Sequence, residues 1–262
     1  MKPIIRRGLG LLLILSFLTA WAVLLGMSSK ARRIKTCTGR QSIQVTVTDS
    51  MERRFVAKED VERWLDTEYR AWAGLQLDSV DLYRIEKIIS SHSAVKTCEA
   101  WLTDDGALHV RLSQRQPVVR FQDGGNGFYA DESAFIFPLQ ARGSVAVPIV
   151  DGALPIKVER GFKGELTERA QKEWVEKIVT MAAFISSGPW KDIVSQIHVD
   201  DNGDLTIYPS TGKEKFIFGS PTRVEEKFGL MEKYYKSIVP AKGEGHYRSV
   251  DVRYKGQIVC KQ

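Results

Sequence analysis

Cysteine and histidine are scarce in this chain of 262 residues, with three of the first and four of the second. Cys37, Cys98 and Cys260 are odd in number, widely spaced and without a Cys-x-x-Cys, so neither a zinc site nor a disulfide framework is written here. Three buried free thiols are the favoured state; a Cys37–Cys98 bridge stays open for an oxidising compartment. His92, His109, His198 and His246 are dispersed without the i, i+4 spacing of a helical zinc protease, and no Gly-x-Ser-x-Gly elbow occurs. No Asn-x-Ser/Thr acceptor occurs either. Acidic residues are absent from the first 35 positions, which hold Lys2, Arg6, Arg7, Lys30, Arg32, Arg33 and Lys35. The formal charge of +6 therefore lies wholly in that segment, and the remainder is close to neutral. A basic surface for nucleic acid is excluded by that distribution.

Only one long apolar run is present. Gly8 to Met27 carries 20 residues without a charge, and as a helix it would reach roughly 30 Å, the thickness of a bilayer's hydrocarbon core. An uncleaved anchor is favoured over a secretory leader, because the run exceeds a usual leader core and Ala20-Trp21-Ala22 lies inside it. Basic residues flank both ends almost equally, so charge leaves the orientation open. Residues 1–7 form a tail, 8–27 a transmembrane helix and 28–40 a juxtamembrane linker.

The rest predicts an α+β chain of two domains, 41–122 and 123–262. Ile43, Val45 and Val47 alternate as in a half-buried strand. Val61, Trp64, Leu65, Tyr69 and Trp72 mark a helix. A second helix carries Leu82, Ile85, Ile88 and Ile89, with Asp78 or Ser79 as cap. Strand runs at 95–103 and 107–114 flank Asp104-Asp105-Gly106, completing a β-α-α-β-β unit. Beyond Gly124-Gly125-Asn126-Gly127 come short strands and a helix over 167–186 with Ala170, Trp174, Ile178, Ala182 and Ile185 on one face. Another helix follows, with Ser220-Pro221 as N-cap and first residue. The chain ends on Val250–Tyr254, a break at Gly256, and Ile258-Val259-Cys260.

Fragments that look chemical each fail a test. Asp200-x-Asn202-x-Asp204 has calcium-loop spacing, yet Leu205 stands where glycine is needed, so it reads as a turn. Gly212-Lys213 lacks the earlier glycine and the Ser/Thr of a phosphate loop. No catalytic residue, metal or cofactor is expected, and a binding role leads. If the last run closes a sheet at its edge, it offers backbone groups to a partner strand; an interior strand is the alternative.

Several fragments in order resemble the bitopic FtsQ/DivIB family. These are the run Val110–Val119 with its Gln116-Pro117 step, Gly127–Phe137, Val147–Gly152, Phe218-Gly219 leading into Glu226–Leu230, and Tyr247–Tyr254. The resemblance implies a POTRA-like first domain, a β-rich second one, an N-terminus in the cytoplasm and the bulk in the periplasm. It implies a non-enzymatic scaffold at the division septum that binds FtsB and FtsL-like proteins by strand addition just after an Asp-x-Arg-Tyr motif. That motif falls on Asp251, Arg253 and Tyr254, so the partner-binding residues would be Arg253, Tyr254, Lys255, Gly256, Gln257, Ile258, Val259 and Cys260, with the paired edge at 255–260. A membrane-anchored cell-wall enzyme and a POTRA-type transport accessory are the alternatives.

Overall fold

The computed structural model describes residues 16–23, 36–48 and 55–262. Residues 16–23 are helical, and the rest of the expected span Gly8–Met27 lies outside the described residues. Among the described residues no helix is long and apolar enough to cross a membrane. The chain divides into two compact units, the second of which includes Leu112–Gln262.

Strands β1 (Gln44–Val47), β2 (Val95–Leu102) and β3 (Leu108–Gln114) form a three-stranded sheet in the order β1-β3-β2. Central β3 buries Leu108, Val110 and Leu112 on one face, the period-two pattern of a half-covered strand. Helix α1 (Lys58–Glu68) buries Val61 and Leu65 one turn apart. It stops short of Trp72, which had been expected on the same face. Arg70 adopts φ 63°, a left-handed conformation that cannot continue a helix. Trp72 is nevertheless buried, its indole Nε1 donating to Asp66 Oδ1 at 3.2 Å. Helix α2 (Leu82–Ser90) buries Ile85, Ile88 and Ile89. Its cap is neither Asp78 nor Ser79, which sit in a separate 3-10 turn, but Asp81, whose Oδ1 accepts from the Arg84 amide at 2.9 Å.

The second unit is a nine-stranded mixed sheet. Its members are β4 (Pro117–Asp123), β5 (Asn126–Asp131), β6 (Ile136–Pro138), β7 (Ile149–Gly152), β8 (Val194–Val199), β9 (Leu205–Pro209), β10 (Lys215–Gly219), β11 (Ser249–Asp251) and β12 (Val259–Lys261). Their order is β12-β11-β10-β9-β8-β7-β4-β5-β6. The run 110–119 holds the end of β3 at Gln114 and, after the Gln116-Pro117 step, the start of β4, which pairs with β5 and β7. Two pairings are parallel with a helix between the strands, β7 to β8 through α3 (Arg169–Ser187) and β10 to β11 through α4 (Val224–Lys233).

These helices and one face of the sheet share a core. Val175, Ile178, Val179, Ala182 and Ile185 of α3 join Ile197, Ile207, Phe216, Phe218, Phe228 and Val250. The buried stripe of α3 is rotated from the one expected, since Ala170 is exposed and Val175 and Val179 take the inward places. Helix α4 starts at Val224 behind a left-handed Arg223 (φ 53°), so Ser220-Pro221 does not cap it. The Asp200–Asp204 segment is a turn: Asp200 Oδ1 accepts from the amides of Asn202 and Asp204 at 3.0 and 2.9 Å. All three cysteines are free, and burial is full only at Cys37; Cys98 and Cys260 are partly exposed.

Candidate functional site

Strand β12 is the end of the large sheet. It pairs antiparallel with β11 in the register Ser249↔Lys261, Val250↔Cys260 and Asp251↔Val259, and no described strand lies on its other side. Lys261 O accepts from Arg248 N at 2.9 Å, so the Lys261 peptide faces β11. Backbone groups alternate in direction along a strand, and the N–H and C=O of Cys260 therefore point outward. The Cys260 side chain lies on the core face, where burial pushes its thiol pKa up. Val259 is exposed on the opposite face.

Strand structure at this edge covers Val259–Lys261 and not the whole of 255–260. Residues 254–256 form a turn instead, with Gly256 at φ 67° and the Gln257 amide donating to Tyr254 O at 3.3 Å. A left-handed residue interrupts any ladder, which is why the extended run splits there. Lys255, Gly256 and Gln257 are exposed, whereas Ile258 is half-buried against the core.

Arg253 does not face solvent as a free contact. Its guanidinium closes on Asp251 through Nη2–Oδ2 at 2.8 Å and Nε–Oδ1 at 3.1 Å, and reaches Asp204 Oδ2 through Nη1 at 3.0 Å. The carbonyl of Arg253 accepts from Arg223 Nη2 at 2.6 Å, and the Gly256 amide donates to Glu226 Oε1 at 3.3 Å. The turn before β12 is thus fastened to the β8–β9 turn and to the start of α4. Burial raises the Asp251 carboxyl pKa, but the hydrogen bonds and charge of Arg253 outweigh it and hold the carboxyl below the usual carboxylate range. Tyr254 stands clear, 51% exposed, with the Arg253 guanidinium 5.9 Å from its ring centroid.

Among the residues expected to bind, the structure places Tyr254, Lys255, Gly256, Gln257 and Val259 at the surface, and Arg253, Ile258 and Cys260 partly inside. Asp204, Arg223 and Glu226 hold the site and were not foreseen. Glu226 lies in a fragment already noted for its resemblance, while nothing in the sequence signals a left-handed Arg223. Among the described residues no group of three or more His, Cys, Asp or Glu is placed to hold a metal ion.

Comparison with curated proteins finds no match. Residues 36–113 match the POTRA-like domain family. Residues 116–261, more than half the chain and including β4 to β12, match the family described as FtsQ/DivIB, C-terminal related. With both domains matched in that order, the chain belongs to the FtsQ/DivIB family of non-enzymatic cell-division proteins.

Proposed function

We propose that this protein is a scaffold of the division septum that captures FtsB, and FtsL with it, by adding a partner strand to β12. The reading rests on one observation: β12 ends the sheet with the Cys260 amide and carbonyl turned outward, and no described strand receives them. The fastened turn at 253–256 favours this use, because an edge held in place loses little freedom when a strand docks. Exposed Tyr254 supplies an aromatic anchor beside it. Gly8–Met27 is the inner-membrane anchor, with the N-terminus cytoplasmic and the two domains periplasmic. The exposed apolar side chains of Phe17, Leu18, Trp21 and Val23 suit that placement.

Cys260→Pro tests it. Proline there removes an outward donor and leaves the inward bonds of Val259 and Lys261 intact, the setting in which edge strands tolerate it. The variant is expected to melt as the parent does and to lose FtsB in co-purification from dividing cells. FtsB retained at parental level by a folded variant sinks the assignment.

A further inference from the structure

A second site is built where the β9–β10 hairpin meets the chain after α4. Pro240 has no amide to donate, and the helix answers by widening: Tyr234–Ile238 is a π-helical turn in which the Val239 amide donates to Tyr234 O, five residues back. This turn carries Tyr235, whose hydroxyl donates to Glu214 Oε1 at 2.7 Å. Glu214 is only 6% exposed, and its other hydrogen bond comes from the Lys213 amide to Oε2 at 3.0 Å. Among the described residues no basic side chain forms an ion pair with it. Beside this carboxylate lies a cavity of about 480 Å³ lined by Gly212, Lys213, Glu214, Tyr235, Val239 and Glu244 among others. Gly212 sits at φ 111°, a backbone conformation that side chains rarely adopt, and its Cα lies close against the Glu214 carboxylate.

An ionised carboxylate offers about four acceptor positions, and Glu214 uses two. Holding it out of water without a counter-charge is costly. The lining carries two carboxylates, Glu214 and Glu244, and one ammonium, Lys213, a formal excess of one negative charge. Burial and the neighbouring carboxylate push the Tyr235 phenol pKa up, keeping it a neutral donor. We propose that this cavity receives an alkylammonium or guanidinium head group, with the Glu214 carboxylate as counter-ion and Val239 and Tyr235 against its methylene stem.

Two sources carry that chemistry: a lysine or arginine side chain of a bound peptide, and a free amine. Lys215 N donates to Arg248 O and Arg248 N to Lys261 O, each at 2.9 Å. The hairpin of the cavity and the end of β12 therefore share one row across three strands, roughly 10 Å apart at about 4.8 Å per strand. A peptide is favoured by that nearness, although the pocket does not depend on strand addition at β12.

The full-length chain in detergent is titrated calorimetrically with butylammonium, butylguanidinium, the neutral isostere butyramide, and acetyl-Gly-Lys-Gly-amide with its arginine counterpart. The cations are expected to bind and butyramide not. Glu214→Gln, which keeps an acceptor for Tyr235, is expected to weaken cation binding at least tenfold, and Lys213→Ala, an exposed change, to strengthen it at least twofold. Peptides binding at least tenfold tighter than the free amines assign the site to a basic side chain of a partner; equal affinities assign it to small amines. Absence of cation binding, equal binding of butyramide, or unchanged affinity in a folded Glu214→Gln protein overturns the proposal. Should Glu214→Gln fail to fold, an unchanged or weaker affinity in Lys213→Ala overturns it.

Discussion

Arg253 grips Asp251, two residues earlier, with Nη2 to Oδ2 at 2.8 Å and Nε to Oδ1 at 3.1 Å. Side chains at i and i+2 of a continuous strand share a face, so the pair locks the exit of β11 before the turn at 254–256. The folded Asp251 carboxyl is held below its unfolded pKa of about 3.9, so its contribution is complete above that pH and is lost as pH falls through the lower, folded value. Arg253→Met should lower stability at pH 7 by about 1 kcal/mol, a modest figure because the guanidinium is 39% exposed. It should also flatten the loss of stability below pH 4. Thermal unfolding of parent and variant between pH 2 and 7 checks both; parallel curves on the acid side remove the pair from the account.

Gly219, at the end of β10, is the floor beneath that arginine. It holds φ 72°, and a Cβ would meet Arg253 Cγ and Cδ at 2.8 Å. Gly219→Ala is expected to cost roughly 1–2 kcal/mol from the left-handed backbone alone, with more from displacing Arg253. The added part is a coupling: Arg253→Met should cost less in the alanine background than in the parent. A double-mutant cycle of melting temperatures reads it, and strict additivity separates the glycine from the clamp.

Spacing alone revealed Val61 and Leu65, the isoleucines of α2, and Ile178, Ala182 and Ile185, because each buried stripe repeats with the helical period. Trp72 and the cap before α4 were misplaced for one reason. Arg70 and Arg223 are left-handed without being glycine, a state that residue propensity does not signal. At the site, Asp251-x-Arg253-Tyr254 is conspicuous as a string. Asp204, the second carboxylate on Arg253, lies far upstream and reads only as part of a turn. The parallel pairing of β10 with β11 brings the two together, and no local pattern specifies which strands a crossover will join.

Tyr254 and Arg253, adjacent in sequence, should separate binding from folding. Tyr254 is 51% exposed and makes no side-chain hydrogen bond among those described, so Tyr254→Ala should leave stability within about 0.5 kcal/mol of the parent. As an aromatic anchor beside the docking edge, its loss should weaken FtsB binding by at least about 1.4 kcal/mol, a factor of ten. Arg253→Met should lower both quantities, since it loosens the turn that presents the edge. Melting curves and FtsB affinity measured on the two variants distinguish them; a Tyr254→Ala protein with parental affinity places the anchor elsewhere.

Lys227 in α4 is a buried ammonium, 2% exposed, donating to Ser220 O at 2.7 Å with its Nζ 4.6 Å from the Phe218 ring centroid. Burial, helped by the positive charge of Arg223, pushes the amine pKa down to about 8. An unfolded lysine titrates near 10.4, so between about pH 8 and 10 the unfolded chain binds a proton that the folded one has released. Stability carried by this group must therefore rise with pH across that window and be lost as pH falls through 8. Lys227→Met keeps the methylene stem in the core and removes the charge. Denaturant unfolding at pH 7, 8.5 and 10 should show the parent gaining on the variant as pH rises. The carbonyl of Ser220 keeps the Thr222 amide as a donor at 2.8 Å, so losing the ammonium offsets little of the variant's advantage at pH 7. A parent curve as flat as the variant's means that the amine is not desolvated in solution.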